Sequence, residues 1–570
     1  MENYEIADIL KHTAKLMELH GENAFKIRSF QNASFKLDRL TEKLEGKSVE
    51  DLEKVDGIGK SLSVKIYHLL SSGNFPELDA LKEKTPEGVL EMMSLKGIGP
   101  KKVATLWHEL NIETIGELLY ACNENRLIEL KGFGTKTQEQ VKQAVEFKLA
   151  SQGHYHYATV EVLAIELINY FQKNIPDLVI QTTAELRRKC EIIDEISLIA
   201  ICNSTKELER IKSAIKICPW LPEQLLASAE NELRTKSIAG PIFSLLIAPT
   251  PNFAYSLWKS TGSEEHIKLC FDNSTINESE LQEISSEELI YQKLKLDFIE
   301  PELREGLEEV NWSKQHILPT LVTVNDLKGI LHNHSNYSDG IHSLKEMAIG
   351  CRDLGYEYLG ICDHSKSAFY ANGLSLERVQ QQHQEIEILN HELAPFKIFK
   401  GIESDILNDG SLDYPTEILA SFDFIVASVH SNLKMTEEKA TERLLNAIRN
   451  PFTTILGHPT GRLLLARNGY PINHKLIIDA CAEEGVVIEL NAHPYRLDLD
   501  WRWIQYALSK NVMISINPDA HAVEGYQDMH YGVCVARKGA LTSEKTFNAF
   551  NKNQIDEWFQ KRRDRCIALK

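Results

Sequence analysis

The stretch "LHNHSNYSDG" at 331–340 sets His332 and His334 two residues apart, with Asp339 in a Ser-Asp-Gly turn sequence five residues after His334. On a strand, positions i and i+2 share a face, so both imidazoles can reach one cation. A pair of surface histidines beside a turn would look the same, and the rest of the chain decides between the two. "YLGICDHSKS" leaves His364 after an apolar run, "FKIFKGIESDIL" leaves Glu403, and "FDFIVASVHSN" leaves His430. "FTTILGHPTGR" ends in His458, and "VMISINPDAHA" ends in Asp519 and His521. A single such ending fits a core histidine, but a repeated series points to a metal centre. Mixed imidazole and carboxylate donors suit Zn, Mn or Fe better than Mg or Ca, and nine of them can hold two or three divalent cations. Closely spaced cations make hydroxide available at neutral pH and clamp both oxygens of a phosphoester, so no side-chain nucleophile is required.

These donors need a frame that brings separate strand ends together. From 329 to the C-terminus, β-rich runs alternate with helical patterns, as expected of an α/β barrel with its chemistry at the strand ends. The first 150 residues differ, with short amphipathic helices joined by three similar glycine turns: "VDGIGKS" at 55–61, "LKGIGPK" at 95–101 and "LKGFGTK" at 130–136. Their glycines (Gly57, Gly59, Gly97, Gly99, Gly132 and Gly134) allow a tight turn, and the following helix then offers free N–H groups to a phosphate. Lys60 and Lys101 add charge at two of the turns. Between these halves, 151–262 reads as a mixed α/β unit, 263–316 has mixed character and 317–328 reads as a linker.

At 570 residues the chain has room for several domains. The net charge of -19 argues against a nonspecific nucleic-acid coat, although contacts through backbone amides need no basic average. No apolar run is long enough to span a bilayer, and the acidic, amphipathic N-terminus does not read as a signal peptide. Ten cysteines without a CxxC pair suggest reduced thiols and a cytoplasmic protein.

The glycine turns resemble the helix-hairpin-helix motif, which grips a DNA backbone without reading sequence. The segment 329–570 resembles the PHP (polymerase and histidinol phosphatase) phosphoesterase domain through "LHNHSNYSDG", "ICDHS", "GIESDIL", "SVHSN", "GHPTGR" and "INPDAH". That resemblance implies a distorted (β/α)7 barrel and a trinuclear site. Its ligands would be His332, His334, Asp339, His364, Glu403, His430, His458, Asp519 and His521, with none missing. Lys366, Arg462 and Arg496 are candidates for holding phosphate, with surface salt bridges as the competing reading.

The order of parts resembles bacterial family X DNA polymerases. It implies a lyase-like helical domain at 1–85, a fingers-like domain at 86–150, a palm at 151–262, a thumb-like segment at 263–316 and the PHP domain at 329–570. The palm departs from the family pattern. The Gly-Ser pair that would bind nucleotide phosphate is Ala184-Glu185, and the Asp-x-Asp pair that would hold Mg²⁺ reads as Asp194 and Ile196. The third carboxylate position is Ser244. Arg187 and Arg188 anchor the match, and "TGSEEH" at 261–266 matches the thumb side, after Lys259-Ser260 in place of an aromatic pair. Lys65 stands where some members form a Schiff base with an abasic-site sugar; a solvated helix lysine is the competing reading.

The expected function is a metal-dependent DNA phosphodiesterase in base-excision repair, acting 3′→5′ as an exonuclease, with abasic-site cleavage or 3′-end cleaning as further implied activities. Its expected partners are primer 3′ ends and gapped or abasic DNA, with no membrane and a nucleoid-associated pool. Two alternatives stay open: a working repair polymerase with a proofreading nuclease, and a small-molecule phosphomonoesterase of the histidinol-phosphatase type.

Overall fold

The protein is described from a computed structural model covering residues 1, 3–38, 40, 42–95, 97–128, 130–149, 153–222, 227–229, 231–272 and 274–568. The chain forms two compact units, Met1–Lys148 and Leu149–Lys570. No helix among the described residues is long and apolar enough to cross a membrane.

The first unit is helical: α1 (Asn3–Leu19), α2 (Ala24–Leu37), α3 (Val49–Glu53), α4 (Lys60–Ser72), α5 (Pro76–Glu83), α6 (Glu87–Met92), α7 (Pro100–Leu110), α8 (Ile115–Asn123) and α9 (Thr135–Leu149). Side-chain caps start several of these helices. Asn23 accepts from Phe25 N–H at α2, and Thr114 and Glu117 form a capping box at α8. The segments 1–85 and 86–150 are not separate bodies. His20 bonds to Thr85 at 2.7 Å and sets its ring edge-on to Trp107 at 5.7 Å, which ties α1 to α7.

The second unit holds a mixed sheet and a parallel barrel. A short pair, β1 (Tyr155–His156) and β3 (Ile192–Ile193), precedes a five-stranded sheet of order β2-β4-β7-β6-β5. These strands are β2 (Ile180–Thr182), β4 (Glu195–Ile201), β5 (Ala227–Ala229), β6 (Glu232–Lys236) and β7 (Ile242–Ala248). Strands β4 and β7 run parallel with Ser197 opposite Ser244, and the other pairs are antiparallel. One face of the sheet buries Ile196, Leu198 and Ala200 with apolar residues of α10 (Tyr157–Asn174) and α11 (Thr205–Lys216). The described helices between 253 and 314 pack around Trp258, Tyr291 and Ile299.

The barrel strands are β8 (Gly329–Ile330), β9 (Tyr358–Ile361), β10 (Lys397–Lys400), β11 (Glu403–Asp405), β12 (Val426–Ser428), β13 (Ile455–Leu456), β14 (Val487–Asn491) and β15 (Ile514–Asn517). All their pairings are parallel, in the orders β10-β9-β8 and β11-β12-β13-β14-β15. Bridges between His364 and Glu403 and between Asn333 and Ala520 join the two sheets into a ring. Strands β10 and β11 follow each other in one staggered path, so the ring has seven staves. Parallel strands bring all their C-terminal ends to one rim. The expected linker 317–328 is bonded into this body, with Leu321 and Val322 buried and Val322 N–H donating to Leu541 O at 2.9 Å.

Candidate metal centre

Six of the eight barrel strands deliver candidate ligands at that rim. His332 and His334 follow β8, His364 follows β9, Glu403 opens β11, His430 follows β12, His458 follows β13, and Asp519 and His521 follow β15. His332, His334, His364, Glu403 and His458 are at most 2% exposed.

Glu403 stands at the centre. Its Oε1 lies 3.5 Å from His332 Nε2, 3.1 Å from His430 Nε2 and 2.9 Å from His458 Nε2. Its Oε2 lies 2.9 Å from His364 Nδ1 and 3.7 Å from His334 Nε2. Asp339 faces His364 Nε2 at 3.5 Å and His521 Nε2 at 3.3 Å, while Asp519 faces His334 Nε2 at 2.9 Å and His332 Nε2 at 3.4 Å. Three overlapping donor groups result: His334, Asp339, His364 and His521; His332, His334 and Asp519; His364, Glu403 and His430. Eight of the nine expected ligands fall in them, and His458 joins through Glu403.

The donors fit divalent cations. His332 Nε2, His334 Nδ1, both Asp339 oxygens, both His364 nitrogens and Glu403 Oε2 are buried without a hydrogen-bond partner, an arrangement that costs stability unless something satisfies it. Burial alone would push Asp339, Glu403 and Asp519 up, but the surrounding imidazoles hold all three carboxyls well below their usual range, ionised and able to ligate. Burial and neighbouring histidines push His334 down, and burial with the Arg496 cation pushes His458 down, so both favour the neutral, ligating form.

Further groups position these ligands. Glu489 Oε2 takes His332 Nδ1 at 2.7 Å, while Oε1 accepts the His458 N–H at 3.2 Å and the Asn491 amide at 3.1 Å. Asp405 Oδ1 takes His430 Nδ1 at 2.6 Å. Such carboxylates fix a ligating ring's tautomer and orientation. Glu489 was missed in the sequence, although a lone acid within "VVIEL" is a signal, since a buried charge needs a partner.

The three phosphate candidates separate. Arg496 is 4% exposed and sets Nη1 3.9 Å from Asp519 Oδ2, beside the donors. Lys366 is exposed on the loop after His364. Arg462 is a correction: it bonds Asp500 at 2.6 Å, the Arg496 carbonyl at 3.1 Å and the Leu497 carbonyl, so its whole guanidinium braces the rim.

The palm reaches the same rim. His156 is 7% exposed, meets the Leu464 carbonyl through Nε2 at 3.0 Å and packs on the Tyr495 ring at 4.3 Å. Burial pushes this imidazole down to about 4, against the Leu464 hydrogen bond. Unfolding releases it to take a proton below about 6.5. Its contribution to stability is therefore complete above that pH and falls as the solution is acidified toward 4, by a total on the order of 3 kcal/mol. In His156→Gln, which keeps a donor for Leu464, urea midpoints measured between pH 7 and 4.5 should fall less than in the unaltered protein. Equal falls would contradict this.

The palm's open face needs a correction of register. Asp194 precedes β4 and bonds to His154 Nδ1 at 2.6 Å, and Ile196 is fully buried in the core on the helical side. Side chains alternate along a strand, so the positions sharing the other face are Glu195 and Ser197, one residue on. Ser244 lies opposite Ser197 and donates to Glu232 at 2.6 Å, while Arg234 pairs with Glu195. Arg187 forks onto Glu287, and Arg188 bonds Glu305 at 3.0 Å and the Thr261 carbonyl at 2.8 Å.

In the helical unit the three turns share one conformation. Gly57, Gly97 and Gly132 have φ of +91°, +92° and +89°, a region where side chains are strained. Gly59 and Gly99 cap α4 and α7 without a side-chain acceptor, and Gly134 O accepts from Gln138 N–H in the first turn of α9. Lys60 and Lys101 are exposed. Lys65 pairs with Glu77 at 3.1 Å, and Lys26 shares that carboxylate.

Known families match these parts. A helix-hairpin-helix domain family matches residues 1–75, a SAM-like helix-hairpin-helix tandem matches 89–146, and the PHP domain matches 331–493. A "Probable phosphatase" from Caldanaerobacter subterraneus subsp. tengcongensis is 33% identical over 19% of this chain and 41% of its own length. One from Clostridium acetobutylicum is 31% identical over 28% of this chain and 63% of its own. Along nearly the whole length, the chain is 32% identical to the "DNA polymerase/3'-5' exonuclease PolX" of Bacillus subtilis (strain 168), over 99% of this chain and all of that protein. With hairpins, palm-like sheet and PHP barrel in the same order, the chain belongs to the family X DNA polymerases that carry a C-terminal PHP domain.

Proposed function

We propose that this chain is a metal-dependent DNA phosphodiesterase that shortens strands from the 3′ end, on a polymerase scaffold that no longer adds nucleotides. The observation that carries this reading is the contrast between its two sites. At the barrel rim, Glu403 and eight other donors converge, with unsatisfied buried atoms among them. On the palm's open face, Glu195 is paired with Arg234, and serines occupy 197 and 244. Of the three positions where the family pattern expects carboxylates, only Glu195 keeps one, and its pairing with Arg234, with Glu232 accepting from Ser244, leaves no set placed to hold two Mg²⁺ ions.

Cations held by the three donor groups would supply an activated water and neutralise phosphodiester charge. The chain's own residues do the rest. Glu489 and Asp405 fix the rings of His332 and His430, and Arg496 brings a fixed cation beside Asp519. The hairpin turns offer free helix N–H groups to a DNA backbone. Abasic-site cleavage and 3′-end cleaning would use the same rim, with Mn, Zn or Fe as the metal.

The small-ester alternative is separated through the hairpins. In a Gly97→Val, Gly132→Val variant, both side chains meet the strained region of φ. Turnover of oligonucleotide at subsaturating concentration should fall roughly tenfold or more, for the loss of two backbone clamps, with p-nitrophenyl phosphate turnover unchanged. Equal turnover of DNA by the variant and the unaltered protein would count against DNA as the substrate.

A further inference from the structure

Phe369 is 89% exposed, more than any other large apolar side chain described. An exposed phenyl ring forgoes roughly 2 kcal/mol of burial, so its presentation to water needs a reason. The loop that carries it is firmly built. Leu374 N–H donates to His364 O at 2.8 Å, Gly373 N–H to Ala368 O at 3.1 Å, and Ser367 N–H to Asp413 at 2.7 Å. Ala368 and Ala371, on either side of the ring, are buried, and a Cβ on Gly373 would lie 1.9 Å from Ser365 O. The ring therefore projects from a fixed turn.

That turn belongs to the metal centre. The neighbouring Tyr370 sets its ring 6.1 Å from His364 and 6.4 Å from His430, both candidate ligands. Lys366, three residues before Phe369, is exposed. An aromatic face, a cation and a phosphoester-cleaving centre thus lie along one short segment. A nucleobase is flat and apolar on its faces, so it can cover such a ring while its own backbone phosphate stays with the cation and the centre.

We propose that Phe369 is a stacking platform for an unpaired nucleobase at the 3′ end of the DNA being cut, with Lys366 beside the strand's backbone. This rests on the reading of the rim as a DNA phosphodiesterase.

The test compares the full-length protein with Phe369→Ala and Phe369→Trp, in Mn²⁺, on two 5′-labelled single strands. One strand is ordinary and the other carries abasic sugars at its last two positions. Phe369→Ala should lower kcat/KM on the ordinary strand roughly tenfold, the factor one stacked base supplies. It should leave the abasic-ended strand unchanged, and Phe369→Trp should keep full activity on both. Equal losses on the two strands, or no loss on either, would overturn the platform while leaving the phosphodiesterase reading in place. Failure of the unaltered protein to shorten either strand would remove that reading, and the platform with it.

Discussion

Replacing His334 with alanine is expected to lower DNA hydrolysis by at least about a thousandfold, or roughly 4 kcal/mol of transition-state stabilisation. The size follows from its position. His334 belongs to two of the three donor groups, facing Asp519 at 2.9 Å and Asp339 at 3.8 Å. Its removal strips a ligand from two neighbouring positions at once. Bound metal, measured by mass spectrometry after dialysis, should fall by at least one equivalent per chain. Activity within tenfold of the unaltered protein, with full metal content, would show that the donors do not act as one centre.

The second large effect concerns stability. Lys538 is 1% exposed, yet it bears a charge that touches the Arg188 carbonyl at 3.0 Å and the Glu305 carboxylate, with its ammonium 4.8 Å from the Trp501 ring. Arg188 comes from the palm, Glu305 from the helical segment after it and Lys538 from the barrel, so one buried cluster joins three parts of the unit. Burial would raise the Glu305 pKa, but Lys538 and Arg188 hold it below its usual range. An acid depressed in this way stabilises the fold above its ordinary pKa, and that contribution is lost as pH falls from there through its lowered folded-state pKa. Lys538→Met fills the volume but leaves Glu305 short of a partner, and breaking such a cluster costs about 3–5 kcal/mol. The urea midpoint should drop accordingly at pH 7. A smaller deficit is expected near pH 4, where Glu305 can take a proton. An unchanged midpoint at pH 7 would mean that the cluster is decorative.

How much of this was legible in the sequence depended on range. The candidate ligands of the barrel could be picked out because they lie at the ends of apolar runs, and strand alternation made His332 and His334 a pair before any fold was known. The glycine turns were equally local, and their shared positive φ at Gly57, Gly97 and Gly132 matches the shared spelling. Glu489 and Asp405 were harder, since their roles appear only once β14 and β11 bring them against His332 and His430. The palm register was misread by one residue because "IIDEIS" offers an acid at both parities, and only the burial of Ile196 decides which face is open. Arg462 looked like a phosphate ligand until Asp500 and two carbonyls were found to occupy it. The cluster of Arg188, Glu305 and Lys538 spans 350 residues and left no local trace.

The central claim is that one chain carries a live phosphodiesterase and a silent palm. The most direct measurement incubates the pure protein with Mn²⁺ and a 5′-labelled primer–template, with and without nucleotides, beside His334→Ala. Stepwise shortening from the 3′ end, absent in the variant and never replaced by extension, is the predicted result. Primer extension by either protein would contradict the account, because it would require carboxylates that Ser197 and Ser244 do not supply.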